Sequence, residues 1–262
     1  MARARQVRLG IAGAHGRMGR CLAALAGERR EVRIAALFGR DGARAGGKAG
    51  KGFAGHSESL MACDVIVDFS TSAGSVDLAR RAAASGGPAL IIGATGFSEA
   101  QERAVRTAAE SIAIVKSGNF SLGVNILAGL VAQAAGRLDY RAWDIEIFEA
   151  HHRGKKDAPS GTALMLGRAA AAARGQSPAD VADPARRPGD RPRRQGDIGF
   201  AVMRGGAIVG EHAVVLAADD EILTLSHSAK DRRIFARGAL EAALWVAGRP
   251  PGLYDMADVL GF

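Results

Sequence analysis

Residues 7–20 read VRLGIAGAHGRMGR, and the reading of the first half of the chain hangs on three glycines in it. The apolar run at 7–12 predicts a strand. Gly13, Gly16 and Gly19 follow at spacing three. The next stretch, RMGRCLAALAGERR, repeats Met18, Leu22 and Leu25 at helical spacing, with arginines on the other side. A strand, a glycine turn and a helix in this order are what a dinucleotide-binding turn requires. Glycines let the backbone come close to a pyrophosphate, and the helix start presents N–H groups and positive potential to it. The spacing is GxxGxxG rather than GxGxxG, so the context carries more weight than the pattern. A ligand-free tight turn is the plainer alternative.

Working outward, VRIAALF (32–38) is a second strand. DVIVDFS (64–70), ALIIGATG (89–96) and IAIVKSGNFS (112–121) are strands running into small-residue loops. Helical stretches separate them at 75–85 and from 98 on, where Ser98 and Gln101 stand at capping-box spacing. Strands alternating with helices at this pitch predict a Rossmann-like parallel α/β sheet. Past residue 121 the grammar changes. LGVNILAGLVAQAAG is a long apolar helix, and AWDIEIFEA alternates Trp143, Ile145 and Ile147 against Asp144 and Glu146. Three strand-like runs follow residue 197, separated by GG and DD turns, which is antiparallel hairpin grammar. The fold class expected is therefore α/β: a Rossmann-like domain at 1–121, completed by 232–262, with an inserted α+β domain at 122–231 whose sheet is mostly antiparallel. The final helix, around Ile234, Leu240, Leu244 and Trp245, could join either domain. Residues 174–197, with four prolines and six arginines, read as a surface loop.

Composition narrows the function classes. The chain has 262 residues, a net charge of +8 and two cysteines, Cys21 and Cys63. Nothing in it suggests a disulfide framework, a membrane span or a leader peptide, so a cytoplasmic enzyme is expected. Residues 1–60 hold twelve Lys or Arg against four Asp or Glu, and the rest of the chain is balanced. That bias points to an anionic ligand at the N-terminal domain or to a Gly/Arg-rich composition. Nucleic acid is a poor fit, because no basic stripe is interleaved with aromatics.

The second segment that carries chemistry is EAHHRGKKDAPSGTA (149–163). His151 and His152 close a strand, Lys155 and Lys156 lie in a loop, and Ser160 is a natural N-cap for the helix SGTALMLGRAAAAARG. The N–H groups of Gly161 and Thr162 form a cradle for a carboxylate or phosphate. A proton donor and an anion clamp thus converge. Adjacent histidines point to opposite faces of a strand and no third ligand stands at useful spacing, so no metal is expected. Lys156 reads as a solvated surface charge.

Together with GAHGRMGR, IGATGFS, GNFSLGVN, IGFAVMRGGAIVGEH and GLYDMADVL, this segment resembles the 4-hydroxy-tetrahydrodipicolinate reductase family, also called dihydrodipicolinate reductases. The matches run in family order from residue 9 to residue 260. The resemblance implies reduction of a cyclic 4-hydroxy imine dicarboxylate by NADPH or NADH, with loss of water, in lysine and diaminopimelate biosynthesis. It implies that His151 is the proton donor and Lys155 the second catalytic residue. His152, Lys155, Ser160, Gly161 and Thr162 would hold the substrate, with Arg232 near them. Gly13, Ala14, His15, Gly16, Arg17 and Met18 would form the pyrophosphate loop. Gly93, Ala94 and Thr95 would lie near the nicotinamide, as would Ser117, Gly118, Asn119 and Phe120. The resemblance also implies hinge closure over the substrate and a homotetramer joined through the second sheet.

The second strand ends in Gly39 and Arg40, where many family members carry an acid before the arginine. An acid there would bind the ribose 2′-hydroxyl, and an arginine would accept a 2′-phosphate. NADPH is accordingly the preferred cofactor, with Asp41 leaving NADH open. The rival readings are another nicotinamide-dependent dehydrogenase and a non-catalytic NADPH sensor.

Overall fold

The computed structural model describes residues 6–39, 42–45, 48–49, 57–183 and 192–262. Arg40 and Asp41 lie outside them, as does 184–191 of the Pro/Arg-rich stretch. The chain forms two compact units, one of residues 1–122 with 233–261, the other of 123–232 with Phe262. The final helix thus belongs to the first unit.

The first unit follows the predicted alternation. Its elements are β1 (Val7–Ala12), α1 (Arg17–Gly27), β2 (Val32–Gly39), β3 (Gly42–Ala45), β4 (Lys48–Ala49), α2 (Ser57–Met61), β5 (Val65–Asp68), α3 (Ser72–Ala84), β6 (Ala89–Ile92), α4 (Glu99–Ala109) and β7 (Ala113–Lys116). After the second unit it resumes with α8 (Arg233–Val246), β13 (Gly252–Tyr254) and α9 (Met256–Leu260). The strand order is β13-β7-β6-β5-β1-β2-β3-β4. From β13 to β2 every pairing is parallel, and β3 and β4 fold back antiparallel. From β1 the chain goes first to β2 on one side and later to β5 on the other. The order therefore reverses at β1, and the glycine turn leaves β1 at that switch point, where doubly wound sheets bind ligands.

Both faces of this sheet are covered. Leu9, Ile11, Val65 and Val67 pack with Leu22 and Leu25 of α1 and with Ala239, Leu240 and Val246 of α8. Ile66, Leu90, Ile92 and Ile114 pack with Leu78 and Ala82 of α3 and Val105 of α4. Burial on both sides explains the continuous apolar runs, since a strand covered on both faces has no polar side to show. Ser98 forms the expected capping box with Gln101 at the start of α4.

The second unit contains most of α5 (Leu122–Arg137), then β8 (Asp144–His151), α6 (Gly161–Ala173), α7 (Pro178–Val181), β9 (Ala182–Asp183), β10 (Ile198–Arg204), β11 (Gly210–Ala217) and β12 (Ile222–Ala229). The sheet order is β12-β11-β8-β10-β9. The hairpin grammar holds for β11 and β12, which pair antiparallel. It fails for β10 and β11. β8 lies between them, antiparallel to β11 and parallel to β10. The Gly205-Gly206 turn therefore carries the chain past β8 instead of closing a two-residue hairpin. The sheet is mixed, with antiparallel pairing predominant. The stretch read as loop from residue 174 also contains α7 and β9, anchored by the buried Val181.

One face of this sheet is apolar and covered. Ile145, Ile147, Ile198, Val214 and Leu216 pack against Leu127 and Val131 of α5 and Leu166 and Ala170 of α6. The opposite face exposes Phe148, Met203 and Ile222. Among the described residues no helix is long and apolar enough to cross a membrane.

Candidate active site

In the first unit, Gly13 has φ +74°, the left-handed region that glycine enters without steric cost. Its carbonyl accepts from the Gly16 N–H at 2.9 Å, closing the turn. A Cβ at position 19 would sit 2.2 Å from the Gly13 oxygen and 2.6 Å from the Ala14 Cα. Only glycine lets α1 start this close to β1. Gly16 is the N-cap and supplies no side-chain cap, while Arg17 and Met18 open the helix. The helix start thus keeps backbone donors for an outside anion, and the missing side chains leave room for one. These residues fit the pyrophosphate of a dinucleotide.

At the same edge, Ala14 donates its N–H to the Phe38 oxygen at 3.0 Å, tying the turn to the end of β2. The His15 ring lies where a side chain at position 39 would begin, 2.5 Å from a Cβ built on Gly39. The loops after β5, β6 and β7 interlock. The ring of Phe69 fills the space beside Gly93, where a Cβ would meet it at 2.3 Å, and Phe69 stacks edge-to-face on Phe120 at 5.7 Å. Gly93 donates its N–H to the Asp68 oxygen. Ser117 and Asn119 brace their own loop. The Ser117 hydroxyl donates to the Asn119 carbonyl, and the Asn119 side-chain oxygen accepts from the Ser121 N–H. Ala94 is buried, and Thr95 and Gly118 are exposed.

In the second unit, the structure gathers His151, Ser160 and the start of α6 around a residue that the sequence reading passed over. Glu149 has a fully buried side chain. Its Oε2 accepts from His151 Nδ1 at 2.5 Å and from Arg204 Nη1 at 2.8 Å. Its Oε1 accepts from Arg204 Nη2 at 2.7 Å and from the Ser160 N–H at 2.9 Å. The register explains this convergence. β10 pairs with β8 so that Arg204 stands beside His151, and on β8 Glu149 and His151 continue the inward face of Ile145 and Ile147.

A second missed residue, His212 on β11, packs its ring edge-to-face on His151 at 5.1 Å and brings Nε2 to 3.0 Å from the Ser160 hydroxyl. Ser160 also caps α6 by accepting the Ala163 N–H at 3.1 Å. Gly161 faces open space, and a Cβ there would meet nothing within 4 Å. Thr162 follows it in the first turn of the helix. His152 Nε2 lies 3.1 Å from Arg232 Nη2, so the imidazole accepts and the guanidinium donates. Lys155 pairs with Asp157 at 2.7 Å, and Lys156 is exposed.

The charges follow from these contacts. Burial alone would raise the Glu149 carboxyl. The Arg204 fork, His151 and the Ser160 N–H outweigh it and hold the group below the ordinary carboxylate range. Burial lowers the His151 pKa. Glu149 opposes that effect, and the Lys155 and Arg204 charges reinforce it. Burial is also the main reason that His212 is lowered to about 4, with the His151 charge adding to it. His212 is therefore neutral near pH 7. His151 combines a fixed inner nitrogen with an outer nitrogen able to give up a proton readily. Among the described residues no group of three or more His, Cys, Asp or Glu could hold a metal ion.

Comparison with known proteins gives a consistent result. The family model described as dihydrodipicolinate reductase, N-terminus, matches residues 7–120, and its C-terminus counterpart matches 123–260. The chain is similar to the 4-hydroxy-tetrahydrodipicolinate reductase of Caulobacter vibrioides, with 56% identity over 98% of each chain. It is 48% identical to that of Zymomonas mobilis over the whole length of both. A solved structure of dipicolinate-bound dihydrodipicolinate reductase from Paenisporosarcina sp. TG-14 shares the fold, with a TM-score of 0.76 at 20% identity, covering 96% of this chain and 98% of that one. On the family models and the full-length identities, the chain belongs to the dihydrodipicolinate reductase family.

Proposed function

We propose that the protein reduces 4-hydroxy-tetrahydrodipicolinate to tetrahydrodipicolinate at the expense of a reduced nicotinamide dinucleotide, with release of water. The observation that carries this reading is the placement of His151 beside an uncluttered helix start. The Nδ1 of His151 faces a buried carboxylate, and the cradle at Ser160, Gly161 and Thr162 suits a substrate carboxylate. His152, Arg232 and Lys155 supply donors for the rest of a dicarboxylate. The nicotinamide, when bound, supplies hydride. His151 in its imidazolium form gives its Nε2 proton to the substrate, and is left neutral with Nδ1–H still on Glu149. Lys155 beside it favours proton release and electrostatically supports the anionic substrate.

NADPH is the preferred cofactor in this reading. Gly39 offers no carboxylate for a ribose 2′-hydroxyl, and the His15 ring takes the space that a side chain there would need. A homotetramer joined through the open face of the second sheet completes the reading. On that face the exposed Phe148 pairs with Ala201 and Ala213, and Ile222 with Ala217.

The test is a coupled assay in which pyruvate and aspartate semialdehyde, with the preceding synthase, generate the unstable substrate in place. The expected result is rapid oxidation of NADPH, with kcat/KM higher for NADPH than for NADH at low salt, and a mass in solution of about four chains. A folded protein that binds NADPH and turns nothing over contradicts the assigned reaction. Equal or better efficiency with NADH contradicts the preference alone.

A further inference from the structure

We propose that Glu149 is the positioning residue that fixes the tautomer and place of the proton donor, and that it works as a saturated acceptor locked by Arg204. This rests on the assignment of His151 as the proton donor. An ionised carboxylate has about four acceptor sites and no donor. In Glu149 four donors meet them: two N–H groups of Arg204, the Ser160 N–H and His151 Nδ1, at 2.5 to 2.9 Å. Arg204 and a backbone amide can only donate. With the carboxylate ionised, His151 Nδ1 must also be a donor, so its lone pair and its titrating position are at Nε2. The Arg204 fork is held in turn by the carbonyls of Met203 at 2.7 Å and Asp157 at 2.7 Å. Neither Glu149 nor Arg204 can swing away without leaving a buried charge unpaired.

The same carboxylate takes the first N–H before α6, so the proton donor and the substrate cradle are referred to one fixed point. The other groups facing His151 are His212 from β11, whose ring stacks on it, and Lys155 from the loop that follows. His212 is neutral near pH 7 and Lys155 is cationic. Glu149 is thus the one anion among these neighbours, and it opposes the lowering that burial and the Lys155 and Arg204 charges impose on His151.

The test uses wild-type protein and Glu149→Gln. In wild type, nitrogen NMR of the imidazoles above the titration of His151 is expected to show Nδ1–H with Nε2 unprotonated. In the variant, the amide keeps the shape, removes the charge and replaces one of the two accepting oxygens by an NH2 that can only donate. There kcat is expected to fall about 100-fold, and the alkaline limb of kcat/KM to move down by about 1 pH unit or more. Binding of dipicolinate, a stable dicarboxylate, is expected to persist. An Nε2–H tautomer in wild type overturns the proposal whether or not the variant folds. So does a variant that loses kcat with its alkaline limb unmoved, because that is what a purely structural role would give. Absence of turnover in wild type would refute the assigned reaction while leaving the tautomer measurement to decide this proposal.

Discussion

A methyl group at position 19 would lie 2.2 Å from the Gly13 carbonyl oxygen, deep inside van der Waals contact, and the atoms it meets are backbone. They cannot rotate away as a side chain could. Gly19→Ala is expected to cost on the order of 1–3 kcal/mol and to weaken NADPH binding by shifting α1 off the turn. Thermal melting and a cofactor titration read the two effects separately, and an unchanged melting temperature would show that the close approach is not rigid. Glycine spacing made this residue legible in the sequence. Glu149 was also within reach. In DIEIFEAH the inward positions of the strand run Ile145, Ile147, Glu149, His151, and an acid on a core-facing register needs a cationic partner. That partner, Arg204, lies 55 residues away, and only the parallel pairing of β10 with β8 brings it in. His212 is on the inward face of β11 for the same reason, between Gly210 and Val214.

Elements differ in how far local pattern determines them. α4 was legible because a capping box is a local contract between Ser98 and Gln101. The strands β1, β5, β6 and β7 were legible because both their faces are buried. The partner of β10 was not, since Gly205 and Gly206 satisfy a turn whichever strand comes next. The choice is settled across the sheet. β8 takes the central position because its inward Ile145 and Ile147 are fully buried with Ile198 on one side and Leu216 and Val214 on the other. α6 shows the two levels together. Ser160 as N-cap followed from composition, whereas its hydroxyl at 3.0 Å from His212 Nε2 follows from tertiary packing.

At the scale of the whole molecule, buried titratable groups set the response to acid. His212 is held at about 4, below its ordinary 6.5. Between these values the unfolded chain binds a proton that the folded one refuses, so stability falls as pH falls through this window. From pH 7 to pH 5 the loss from His212 alone is about 2 kcal/mol. His151 and His227, also lowered by burial, act in the same direction. Asp68 is raised by burial and works the other way. Urea titrations at the two pH values are expected to show a smaller acid-induced loss for His212→Gln than for wild type. An equal loss would mean that His212 is protonated in the folded state.

The Rossmann-like fold and the reaction class were readable because the glycine turn and the histidine segment each keep their chemistry within about fifteen residues. The most direct check of the central claim, that His151 delivers the proton in a reductase, is steady-state NADPH oxidation on substrate generated in place, comparing wild type with His151→Gln. Rapid turnover by wild type is expected, with a kcat lower by about 100-fold or more in the variant while dipicolinate and NADPH still bind. A variant that keeps the wild-type kcat would contradict it.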